Sequence, residues 1–106
     1  MKNEIIVKKV IGYAEKIINY CAGKDYDAFS ADTMLVEACV FNLGQIGELV
    51  RHLDNDFMNQ HSHIPWAQMR GLRNRIIHDY EGVNLVLVWD IIKYDISDLR
   101  EELLKL

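Results

Sequence analysis

The sequence predicts an all-α fold: an antiparallel bundle of four main helices joined by short connections and helical turns. Three observations predict it. Apolar residues recur at helical spacing through most of the chain, the run from Leu35 to Leu53 holds that period for more than five turns, and no segment shows convincing strand alternation or an internal repeat. Short connections then favour antiparallel neighbours.

Each element has its own signal. Ile5, Ile6, Val10, Tyr13, Ala14, Ile17, Ile18 and Cys21 define a first helix, which Gly23 stops. Asp25 to Ala31 is a polar connector with two aromatics and room for a short helical turn. Asp32 offers an N-cap to the long second helix, whose stripe runs through Leu35, Val36, Cys39, Val40, Leu43, Ile46, Gly47, Val50 and Leu53. Gly44 and Gly47 lower its helix propensity; ordinary packing suffices to account for them, and a close approach by another helix would also do so. Leu53-Asp54-Asn55-Asp56 ends this helix, and the stretch to His63 has no usable period. Pro65, suited to a first turn, opens the third main helix, and Gly82 closes it or follows its end. Asn84 can cap the last helix, carried by Leu85, Val86, Val88, Trp89, Ile92, Ile96, Leu99, Leu103 and Leu104.

A chain of 106 residues with 50% hydrophobic content is the size of one globular domain, spanning residues 1–106. Such a domain buries roughly two-thirds of its unfolded surface without cross-links. The formal charge of −4 means that the average field does not attract a polyanion, so any nucleic-acid binding must be local. Cys21 and Cys39 lie in apolar helical segments without paired spacing and read as reduced core residues. Lys8, Lys9, Glu15 and Lys16 interrupt the N-terminal segment, so neither a signal peptide nor a membrane span fits there, and a cytoplasmic location is expected. His61-Ser62-His63 lacks a third ligand at suitable spacing, so no metal and no other cofactor is expected.

The chemistry concentrates in Arg73-Asn74-Arg75-Ile76-Ile77-His78-Asp79-Tyr80. On a continuous helix at about 100° per residue, Trp66, Met69, Leu72, Ile76 and Ile77 form an apolar stripe, and Arg73 points into it. An arginine so placed needs an acidic partner, an interface or a function. Arg70, Asn74 and His78 line the adjacent ridge. Arg73 and His78 would stand roughly 140° apart on a regular helix, too far for one small ligand unless the helix ends near His78 or a second copy contributes.

Two readings of this arc stand side by side. In one, Arg70, Arg73 and Arg75 are solvated or paired with carboxylates such as Glu37 or Glu48, and His78 is a helix-end residue favoured by the dipole. In the other, a histidine that titrates near neutrality moves a proton while an arginine neutralises a phosphate. That pair suits RNA cleavage without a metal, because the 2′-hydroxyl is a built-in nucleophile.

At these residues the sequence resembles the HEPN domains, and among them the HepT-like toxins paired with a minimal nucleotidyltransferase antitoxin of the MntA type. The motif is Arg, four residues, His, any residue, Tyr, usually with a polar residue after the arginine; Arg73, Asn74, His78 and Tyr80 occupy those places. The likeness extends to Ile64-Pro65-Trp66, Gly71-Leu72, Gly82-Val83 and Val88-Trp89. It implies a homodimeric ribonuclease toxin with two motifs facing across the seam. Arg73 and His78 would be catalytic, and Asn74 would orient the histidine or the phosphate. Arg70 and Arg75 would hold RNA phosphates, and Tyr80 would accept AMP from the antitoxin. Many relatives carry a small residue at the place of Asp79, which here adds a negative charge. Two alternatives remain: a non-catalytic nucleotide-binding or substrate-recruiting subunit of a nucleotidyltransferase, and a pure dimerisation module.

Overall fold

The computed structural model describes residues 2–78 and 82–106, with His78 described by its backbone alone. The fold is all-α: α1 (Asn3–Cys21), α2 (Tyr26–Ala31), α3 (Thr33–Val50), α4 (Asn55–Gln60), α5 (Trp66–Arg70), α6 (Leu72–Ile76), α7 (Leu85–Asp90), a π-helical segment Ile91–Ile96, and α8 (Ser97–Leu104). Among the described residues, β structure is confined to a two-residue antiparallel pairing of β1 (Ile77–His78) with β2 (Gly82–Val83), in register Ile77 to Val83 and His78 to Gly82.

Local chemistry sets the boundaries. The Asp32 carboxylate accepts from the Leu35 amide at 3.0 Å and starts α3, as the sequence predicts. Asn84 does the same for α7, accepting from the Leu87 amide at 3.1 Å. Gly23 takes a positive φ of 73° just past α1, where a side chain would be strained. The polar connector before α3 is itself helical as α2, capped by Asp25, whose carboxylate accepts from the Ala28 amide at 2.8 Å.

α1, α3 and the C-terminal helical run share one core, with Ile6, Ile17, Leu43, Ile46, Ile96 and Leu99 buried in it. α3 is apolar and long enough to cross a bilayer by composition alone, with mean hydropathy 1.2. Its buried stripe, from Val36 to Val50, packs instead against α1 on one side and α5–α6 on the other. Cys21 and Cys39 meet in this core as free thiols with their Sγ atoms 3.6 Å apart. Their hydrogen bond lowers the pKa of the Cys21 thiol and, together with burial, raises that of Cys39. Phe29 on α2 stacks against Trp89 with ring centroids 5.0 Å apart, tying α2 to α7.

The third main helix departs from expectation. It breaks at Gly71 into α5 and α6 and ends at Ile76, where the chain becomes extended. Trp66, Met69, Leu72 and Ile76 are buried as predicted, but Arg73 is exposed and not part of the apolar stripe, and Ile77 is partly exposed. The break explains both corrections. Trp66, Met69 and Leu72 fall beneath one another at three-residue spacing across Gly71. Within α6 the stripe then lies between Leu72 and Ile76, leaving Arg73 roughly 80° to one side.

Candidate functional site

Gly47 positions the site. A Cβ there would lie 3.0 Å from the Met69 carbonyl oxygen and 3.4 Å from that of Arg70, so the missing side chain lets α3 and α5 touch backbone to backbone. Gly44, one turn earlier, meets nothing within 4 Å and leaves open space. Where α3 and α5–α6 diverge from this contact, a cleft of about 480 Å³ opens. Its α3 wall includes Phe41, Gly44, Gln45, Glu48 and Arg51, and its other wall includes Arg70, Arg73, Asn74 and Ile77.

Three arginines therefore line one cleft in a chain of net charge −4. Among the described residues, Arg51, Arg70 and Arg73 form no ion pair, although Glu48 lines the same cleft. Glu48 lies 3.7 Å from the Nε2 of His52 instead, and Glu37 is not among the lining residues. The carboxylates proposed as partners for the arginines do not take that role.

Of the residues singled out in the sequence, Arg70, Arg73 and Asn74 come together here. Arg75 does not. Its Nη2 lies 3.7 Å from Asp95 in the π-helical segment, and its Nη1 is buried without a hydrogen-bond partner among the described residues. Arg75 lies on the other flank of the α6 stripe from Arg73, so the expected phosphate contact is directed away from the cleft. The His78 side chain, Asp79 and Tyr80 lie outside the described residues; the His78 backbone extends directly from α6 in β1. Because α6 ends before His78, the angle of a continuous helix does not govern the Arg73–His78 relation.

Sequence reasoning missed Arg51 and Gln45. Both lie on the solvent side of α3 or at its end, and nothing local links them to a motif far along the chain. His61 packs on Phe57 with ring centroids 4.8 Å apart, and the Nε2 of His63 lies 3.3 Å from Glu102. Among the described residues, no group of three or more His, Cys, Asp or Glu side chains is arranged to hold a metal.

The architecture and this cleft define an all-α, HEPN-like protein with a basic groove beside its Arg-x4-His segment. The chain belongs to the HepT-like family, whose model, described as "Ribonuclease HepT-like", matches residues 10–106. It is 34% identical over 93 residues to a Methanocaldococcus jannaschii protein named "Putative RNase", covering 88% of this chain and 85% of that one. A "Putative RNase" of Caldanaerobacter subterraneus is 32% identical over 96 residues, covering 91% of this chain and 86% of the relative. A "Probable ribonuclease HepT" of Thermococcus cleftensis is 35% identical over 81 residues, covering 76% and 74%. No solved structure gives a significant match.

Proposed function

We propose that this protein is a metal-independent endoribonuclease, the toxin of a toxin–antitoxin pair, with a composite site at the seam of a cytoplasmic homodimer. The observation that carries this reading is the gathering of Arg70, Arg73 and Asn74 in a cleft where the arginines lack carboxylate partners among the described residues, in a family of ribonucleases. Arginines that line the cleft without an ion pair among the described residues are available to an anionic ligand, and the names of the relatives point to RNA.

In this reading the 2′-oxygen of RNA attacks the adjacent phosphorus and the bond from phosphorus to the 5′-oxygen breaks. The products are a 2′,3′-cyclic phosphate and a 5′-hydroxyl. One proton leaves the nucleophile and one reaches the leaving oxygen, and His78 is the group suited to carry them. Arg73 stabilises the charge that accumulates on the phosphoryl oxygens, Arg70 holds the backbone, and Asn74 orients the phosphate or the imidazole. A second copy would bring a second His78, so that one could accept a proton while the other donates. Phe41, 61% exposed, and Ile77, 36% exposed, border the cleft and support a seam there.

The same reading includes control by a MntA-like nucleotidyltransferase antitoxin that transfers AMP to Tyr80. AMP would add bulk and negative charge next to the motif and repel RNA. Purified protein incubated with labelled RNA tests the core of the proposal. Nucleotide binding without cleavage by wild type, unaltered in His78→Ala, would favour the non-catalytic alternative.

A further inference from the structure

We infer that Arg51 is a phosphate-binding residue of this cleft, holding the RNA backbone beside the phosphate on which Arg73 and His78 act. This rests on the ribonuclease reading and extends its site to a helix that the motif does not include. Arg51 is the residue directly after α3, at the end of the wall formed by Gly44, Gln45 and Glu48 and across the cleft from Arg70 and Arg73.

Three features separate it from an ordinary surface arginine. It borders an open cleft together with Arg70 and Arg73, so three arginines line one groove that an anion can bridge. Glu48, three residues before it on the same wall, is directed to His52 at 3.7 Å, and Arg51 has no ion pair among the described residues. The cleft, at about 480 Å³, is also of the size that holds an organic ligand, roughly 300–1,000 Å³, and not merely one phosphate group. Three arginines along it suit the phosphates of a single strand. Gln45, on the same wall, can both donate and accept a hydrogen bond toward a base or a 2′-hydroxyl.

A residue that holds the flanking backbone acts on binding and leaves the chemical step alone. The test compares wild type, Arg51→Ala, Arg51→Lys and the remote charge control Lys8→Ala. Cleavage kinetics are measured on an RNA oligonucleotide, and binding is followed by fluorescence anisotropy on its 2′-O-methyl counterpart, which lacks the nucleophile. Arg51→Ala should raise KM and the binding constant about threefold to tenfold, with kcat retained. It should also flatten the logarithmic dependence of affinity on salt by about 0.7, the value for one phosphate contact on a single strand. Arg51→Lys should recover most of the salt dependence, and Lys8→Ala should match wild type. Wild-type KM and salt slope in Arg51→Ala, or equal losses in Lys8→Ala, would overturn the role of Arg51 while leaving the ribonuclease reading intact. A wild-type protein that neither cuts the RNA nor binds its 2′-O-methyl form would overturn both.

Discussion

Arg73 and Arg75, two residues apart on one short helix, serve different parts of the molecule: Arg73 lines the cleft against α3, whereas Arg75 lies 3.7 Å from Asp95. The buried stripe of Leu72 and Ile76 runs between them. Arg73→Met should therefore lower kcat by about 10²- to 10³-fold with an unchanged melting temperature, as expected on losing a group that stabilises transition-state charge. Arg75→Met keeps the aliphatic stem while removing the charge and the unpaired Nη1. Because both partners are about a third exposed, at 32% and 35%, the ion pair contributes no more than about 1 kcal/mol. Activity should stay near wild type, and steady-state kinetics beside thermal melts separate the two variants.

Gly47 and Gly44 should respond in opposite ways to the same added methyl group. Gly47→Ala places a Cβ 3.0 Å from the Met69 carbonyl oxygen, which belongs to the backbone and cannot swing away. The strain should cost about 1–3 kcal/mol and lower the melting temperature by several degrees. Gly44→Ala meets nothing within 4 Å and should raise helix stability by up to about 1 kcal/mol. Calorimetry of the two variants checks the pair; equal melting temperatures would remove the close α3–α5 contact from the account.

The contrast shows what the sequence made legible. The spans of α1 and α3, and the caps at Asp32 and Asn84, could be read because apolar period and capping chemistry are local signals. The break at Gly71 could not be read, since Trp66, Met69, Leu72 and Ile76 fit one continuous helix or two short ones equally well. That ambiguity placed Arg73 in the apolar stripe, from which the structure removes it. The motif singled out Arg73 and Asn74, but Arg51 lines the same cleft only through the packing of α3 on α5, which no local pattern encodes.

A dimer seam over the cleft predicts a specific weakness at Phe41. This ring is 61% exposed at the cleft edge, and Met34, two turns earlier on α3, is 82% exposed. Phe41→Glu would place like charges near one another across a two-fold seam. Sedimentation at micromolar concentration should show wild type at twice the 12.4 kDa chain mass and the variant at the chain mass, with cleavage lost in parallel. A wild-type monomer with full activity would refute the shared site.

Tyr80 is the predicted point of control. Incubation with a MntA-like nucleotidyltransferase, ATP and magnesium should add AMP at this residue, located by peptide mass spectrometry, and abolish cleavage without dissociating the dimer. Tyr80→Phe should remain unmodified and continue to cut RNA. Equal modification of both proteins would move the switch elsewhere.

Cleavage of a defined RNA in excess chelator, with the product ends identified, tests the central claim most directly. Wild type should release fragments ending in a 2′,3′-cyclic phosphate, and His78→Ala, with an unchanged circular dichroism spectrum, should release none. Loss of wild-type activity in chelator with recovery on adding a divalent metal, or full activity in His78→Ala, would contradict the account.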